Sequence, residues 1–131
     1  MGQERRRTRR LALDAGALIA LETPRGRALV RELAKAGVPV IVSAGAVAQA
    51  WRAPVRQALL GALMGRADTL VVALDKPAAR ACGVLLARTG TSDVIDAHVV
   101  LSAREHDAAG IVTSDPGDLG LLDPRAALHP I

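Results

Sequence analysis

Apolar and polar positions along the chain alternate between two periods. Leu11-Ala12-Leu13 is a short apolar run that ends in Asp14, and Ala15 to Leu21 reads as a helical turn or two stopping before Thr23-Pro24. From Arg25 to Ala36, apolar Ala28, Leu29, Leu33 and Ala36 recur at three- and four-residue steps among charged neighbours, which predicts an amphipathic helix closed by Gly37. Val38 to Val42 is β-branched and bounded by turn residues, a buried strand. Ser43 is expected to cap a helix that runs through Trp51 and breaks at Pro54, and a second helix is expected from Val55 to Met64. Thr69 to Leu74 predicts a third strand, and Lys76-Pro77 opens a helix reaching about Ala87. Residues 92–107 form another helix, Gly110 to Thr113 a fourth strand, Pro116 to Leu122 a short helix, and Ala127 to His129 an edge strand.

Strands thus alternate with helices over the whole length. The expectation is an α/β fold, a three-layer α/β/α sandwich around a mostly parallel sheet of four or five strands with right-handed crossovers. In such sheets ligands bind beyond the carboxyl ends of the strands. Asp14 and Asp115 both fall at such ends. Asp93 and Asp96 stand three residues apart at the start of a buried helix, on one helix face. Arg88 and Arg104 are the nearest basic residues in sequence.

Each acid has an ordinary explanation by itself. Asp93 with Asp96, and Asp115 with Asp118, match the cap and third position of a helix, and Asp14 is placed to cap the helix after it. Their coincidence points further. Several carboxylates gathered on one rim would raise one another's pKa unless neutralised. A hard divalent ion does that, and oxygen-only ligation suits Mg²⁺ or Mn²⁺ better than zinc. His98, His106 and His129 show no ligand spacing.

Composition narrows the field. With 131 residues, half of them hydrophobic, the chain is expected to fold as one domain over residues 11–131, preceded by a basic arm at 1–10. Trp51 is the sole aromatic residue, so base-stacking platforms are excluded. The net charge of +4 resides wholly in the first ten residues, which carry five arginines and one glutamate. That arm is either an electrostatic contact for nucleic acid or an acidic partner, or a solvated terminus. It does not read as a secretory leader, because Asp14 interrupts the apolar segment and no Ala-x-Ala site follows before Glu22. No apolar run approaches the ~20 residues needed to span a bilayer. Cys82 is alone, which excludes a disulfide framework and a thiolate metal site. The expectation is a cytoplasmic protein without membrane contacts. The excess of fifteen arginines over two lysines looks like codon bias.

Three stretches carry a family resemblance: Leu-Asp-Ala-Gly-Ala-Leu-Ile-Ala (13–20), Thr-Ser-Asp-Val-Ile-Asp-Ala (91–97) and Ile-Val-Thr-Ser-Asp-Pro-Gly-Asp-Leu (111–119). In order and spacing they resemble a PIN-domain protein of the VapC toxin type, over nearly all of residues 10–131. The resemblance implies a Mg²⁺-dependent endoribonuclease, usually a homodimer silenced by a cognate antitoxin. Carried over, Asp14, Asp93 and Asp115 match the first, third and fourth catalytic acids. Asp96 and Asp118 match positions that are acidic in many members, completing the metal-ligand set. Thr113 and Ser114 would supply hydroxyls beside the last acid. The second acid is where the chain departs: Val47-Ala48-Gln49-Ala50-Trp51-Arg52 resembles the helix that presents a Glu, and Gln49 stands in its place. A neutral amide can still ligate a metal or hold its water, but it removes one negative charge and cannot act as a base. Arg52, Arg9 and Arg10 are the candidates for gripping the RNA backbone.

Two rivals follow. One is a catalytically weak or inactive member of the same fold that binds RNA or protein, which Gln49 favours. The other is a phosphoacceptor domain, which would want paired acids in the first strand–helix turn and a lysine after the last strand. The chain has neither.

Overall fold

The computed structural model describes residues 9–131. The basic arm therefore lies outside the described residues except for Arg9 and Arg10. Five strands form one sheet: β1 (Arg10–Leu13), β2 (Val40–Ser43), β3 (Thr69–Val72), β4 (Ala108–Thr113) and β5 (Leu128–Pro130). Their order across the sheet is β3-β2-β1-β4-β5, and every neighbouring pair is parallel. The expected "mostly parallel" sheet is thus wholly parallel. Among the described residues seven α-helices connect and flank the strands: α1 (Ala15–Ile19), α2 (Pro24–Ala36), α3 (Ala44–Ala50), α4 (Ala58–Gly65), α5 (Lys76–Thr89), α6 (Val94–Glu105) and α7 (Pro116–Leu122).

The strand register sorts the two faces. Leu11, Leu13, Val40, Val42 and Val112 share one face, while Ala12, Ile41, Ser43, Ile111 and Thr113 share the other. Arg25 and Leu29 of α2 sit with Leu11 and Val112 on the first face. His98 of α6 bonds Ser43 on the second, so helices cover both. Residues Val40, Ile41 and Val42 are all buried, as expected of a strand covered on both sides. β3 departs from that expectation: it is an edge, and Leu70 and Val71, on opposite faces, are both exposed.

Helix ends are closed by local chemistry. The Thr23 hydroxyl accepts from Gly26 N at 3.2 Å with Pro24 in the first turn, and Gly37 ends α2 in the left-handed region at φ 64°. Gly90 closes α5 in the same conformation, at φ 67°. The helix expected from Val55 to Met64 is instead a 3₁₀ turn, Pro54–Arg56, followed by α4. Gln57 separates the two. Its Oε1 accepts from Arg52 N at 2.6 Å and Ala53 N at 3.0 Å, and its Nε2 donates to Ala50 O at 2.6 Å. These bonds hold the chain out of the helix and pin the turn that carries Val55. Glu22 Oε1 then accepts from Leu59 N and Leu60 N, satisfying the orphan donors of α4 from another part of the chain.

The strand order fixes where a ligand site can lie. From β1 the chain runs outward to β2 and β3, then crosses back to β4 on the other side of β1. The switch point is therefore between β1 and β4, and a crevice opens beyond their carboxyl ends. Asp14 follows β1 directly and Asp115 stands two residues past β4.

Candidate metal centre

Asp14 is 3% exposed and held on both carboxylate oxygens. Oδ1 accepts from Ala17 N at 2.8 Å, which makes Asp14 the cap of α1, and Oδ2 accepts from the Thr113 hydroxyl. The same Thr113 Oγ1 accepts from Asp115 N at 2.8 Å. Fully buried Thr113 thus joins the ends of β1 and β4 through one hydroxyl. Gly16 is held close to the loop after β4: a Cβ there would lie 1.6 Å from Ser114 Oγ and 2.8 Å from Ser114 Cβ. Thr113 and Ser114 are accordingly beside the acids, as expected, with Thr113 bonded and Ser114 in contact with α1.

Asp93 and Asp115 repeat one device. Asp93 Oδ1 accepts from Asp96 N at 2.9 Å at the start of α6, and Asp115 Oδ1 accepts from Asp118 N at 3.2 Å at the start of α7. Asp14, Asp93 and Asp115 are therefore all helix caps, and the ordinary explanation of each holds. It does not exhaust them. Partial burial and the charges of Asp93, Asp14, Asp118 and Asp115, in that order, push the Asp96 carboxyl up to about 6. The Asp118 carboxyl is also raised, by its hydrogen bond to the Asp115 side chain, then by Asp115's charge, slight burial and Asp93. Asp96 thus lies within electrostatic reach of the other four acids. Asp93, Asp96 and Asp118 line a pocket of about 220 Å³ with Thr91, Ser92, Leu121 and Leu122.

An acid whose folded pKa is raised disfavours folding once it ionises. The native state then binds more protons than the unfolded chain between about pH 4 and 6, and stability falls as pH rises through that window. Asp96→Asn should consequently stabilise the metal-free protein by about 1 kcal/mol at pH 7.5, after discounting the shift for partial exposure, and by little at pH 4. Thermal melts at the two pH values check this.

As the side chains stand, no group of three or more His, Cys, Asp or Glu among the described residues is arranged to hold an ion directly. The donor set nevertheless fits a hard cation in chemistry and in charge. Mg²⁺ keeps several waters and commonly takes only one or two carboxylates directly. Asp93 Oδ2 makes no hydrogen bond among the described residues, whereas both Asp14 oxygens are engaged.

Other expected site residues lie differently. Gln49 is exposed on α3 and its side chain makes no hydrogen bond among the described residues, so nothing ties it to the acids. The guanidinium of Arg52 folds back onto Ala48 O and Trp51 O, at 3.2 and 2.7 Å. Arg9 and Arg10 lie at the start of β1. Arg10 opens β1 and donates to His106 O at 3.4 Å, at the opposite end of the strand from Asp14. Both arginines thus stand away from the acidic rim.

The buried pair Ser43–His98 escaped the sequence reading. Ser43 Oγ accepts from Gly45 N and Ala46 N at 3.1 and 3.3 Å, so its own proton is free for His98 Nδ1 at 2.7 Å. That assigns the Nε2–H tautomer to His98. Burial lowers the imidazole's pKa, against opposing contributions from the Ala73 backbone, Asp75 and Glu105. His98 is therefore a neutral core residue rather than a ligand. Only its place between buried Ala97 and Val99 hinted at this. No helix of the described residues is long and apolar enough to cross a membrane. Searched against protein-family models and against curated proteins, the chain matches none.

Proposed function

We propose that this chain is a metal-dependent endoribonuclease, the toxin of a toxin–antitoxin pair, with its site at the acidic crevice beyond β1 and β4. The observation that carries the reading is the charge frustration of that crevice. Four other carboxylates act on Asp96 there without a basic side chain hydrogen-bonded or ion-paired to any of the five among the described residues, and burial first, with those charges added, pushes Asp96 to about 6. Such a cluster binds a divalent cation with gain on both sides. RNA as substrate and an antitoxin as partner rest on the resemblance of the three motifs.

Asp93, Asp96 and Asp115 would hold Mg²⁺ or Mn²⁺, with Asp14 and Asp118 completing the negative field. Bound there, the metal supplies a water of lowered pKa and neutralises charge developing on the phosphoryl oxygens. The chain's own contribution is placement. Thr113 keeps the Asp14 carboxylate and the Asp115 backbone in fixed relation, and the helix starts of α1, α6 and α7 hold each acid in one rotamer.

The test is cleavage of a structured RNA with Mg²⁺ or Mn²⁺, followed by chelation. Cleavage should vanish with chelator and return when either metal is restored in excess. Cleavage that persists in chelator overturns the metal reading, and no cleavage with either metal favours a second one. That second reading is a PIN-like module that binds RNA or protein without cutting. It is favoured by Gln49, which lies exposed and unengaged where the resemblance calls for an acid.

A further inference from the structure

No Asp or Glu occurs between Glu32 and Asp68. That stretch holds α3, the 3₁₀ turn and α4, and from α3 onward its cations are Arg52, Arg56 and Arg66. Arg66 is paired with Asp68 at 2.9 Å, whereas Arg52 and Arg56 have no ion pair among the described residues. Glu22, which reaches the start of α4, is engaged there by Leu59 N and Leu60 N.

The turn that carries Arg52 and Arg56 is braced from within. Gln57 ties it to Ala50, Arg52 and Ala53, and Trp51 lies against Gly61 of α4. Arg52 makes both of its backbone bonds, to Ala48 O and Trp51 O, through Nη1. Those bonds fix the guanidinium and leave Nε and Nη2 without a partner among the described residues. Two such N–H groups side by side form the edge that grips a phosphate with two parallel hydrogen bonds. Val55, between the two arginines, is 93% exposed, so the apex of the turn is open to a partner.

The turn also stands near the acids. α3 begins against the first turn of α6: a Cβ on Gly45 would strike Ile95 Cδ1, and Ile95 lies between Asp93 and Asp96. α3 is about 10 Å long at its seven residues, so Arg52 is one short helix away from the crevice. α2 has exposed Arg27, Arg31 and Lys35 too, but Glu32 stands among them and Arg27 Nε is spent on Glu22 O.

We propose that residues 52–56 form a phosphate clamp for a single RNA strand leading to the acidic crevice, with the Nε and Nη2 edge of Arg52 on one phosphate and Arg56 on its neighbour. RNA as the ligand rests on the nuclease reading, but the clamp itself needs neither metal nor cleavage.

Fluorescence anisotropy of a labelled oligouridylate with the full chain, in chelator over a range of salt, tests it. Each single-strand phosphate contact adds about −0.7 to the slope of log affinity on log salt, worth about fivefold in affinity at about 0.1 M. Arg56→Gln should flatten the slope by about 0.7 and weaken binding about fivefold. Val55→Asp, an acid set between the cations where the fold buries nothing, should do at least as much, and Arg31→Gln on α2 should change neither. If cleavage with Mg²⁺ is absent while these losses stand, the nuclease reading fails and the clamp holds. No binding, a slope indifferent to Arg56→Gln and Val55→Asp, or an equal loss with Arg31→Gln overturns the proposal. RNA affinity retained by the variants while polyglutamate binding is lost also overturns it, in favour of an acidic protein partner.

Discussion

Asp14→Asn is expected to reduce Mg²⁺-dependent RNA cleavage by more than about a hundredfold, the upper range for losing a group that merely supports a metal ligand. Asp14 sits at the switch point of the sheet, is nearly inaccessible to solvent, and bonds through both oxygens. An amide keeps one acceptor and presents a donor in place of the other. It can still cap α1 from Ala17 N, but its NH₂ then faces the Thr113 hydroxyl, whose proton must turn elsewhere. The charge that helps draw a cation into the crevice is gone. The cost in stability should be only ~1 kcal/mol, that of one exchanged hydrogen bond, so the variant folds. Thr113→Val should show a milder loss, about ten- to a hundredfold, because it frees the Asp14 carboxylate and the Asp115 amide while leaving every charge in place. Single-turnover cleavage rates at saturating Mg²⁺ separate the two. Undiminished cleavage by Asp14→Asn would remove Asp14 from the mechanism.

The second large effect is on the fold. Gly26→Ala should destabilise the protein by about 3 kcal/mol or more, lowering the melting temperature by ~10 °C. Gly26 is buried in the first turn of α2, where the helix crosses the turn Ala20–Glu22. A Cβ there would lie 2.0 Å from the Ala20 carbonyl oxygen and 2.4 Å from Leu21 Cα. Both obstacles are backbone, so no rotamer change relieves them. Relief requires moving α2 off Leu21, a fully buried core residue, or displacing the turn whose Glu22 caps α4. Gly83→Ala on the exposed side of α5 is the control: nothing lies near its Cβ, and added helix propensity should leave stability equal or slightly higher. Equal melting of both variants would show that α2 is free to shift.

Which parts of this were legible in the sequence follows from which forces are local. Strand and helix order came from hydrophobic period and from end signals such as Thr23-Pro24, Gly37 and Gly90, whose effect is confined to one turn of chain. The parallel sheet followed from the alternation. The break at Gln57 did not show, because its side chain closes the turn through bonds to Ala50, Arg52 and Ala53 that resemble no standard cap. The exposure of β3 was hidden too, since a run such as Leu70-Val71-Val72 reads identically at the centre of a sheet and at its edge.

At the site, Asp14 and Asp115 were placed by the strand ends and Asp93 with Asp96 by helix spacing, and Asp96 feels the charge of the other three. Arg10 stands at the start of β1, at the far end of the strand from Asp14. His98 was opaque for a different reason. α6 is buried on nearly all sides, from Ala97 through Val100 and again at Ser102 and Ala103, and a helix surrounded by protein has no polar stripe against which a histidine stands out.

That three of the rim carboxylates also terminate helices has a bearing on how such a domain can change. Deleting Asp14, Asp93 or Asp115 would fray the start of α1, α6 or α7 along with any chemistry, so the acids are anchored by folding as well as by activity. If the chain cuts RNA as proposed, a descendant that ceased to do so would still have reason to hold on to those three, whereas Gln49 makes no hydrogen bond among the described residues that folding would lose.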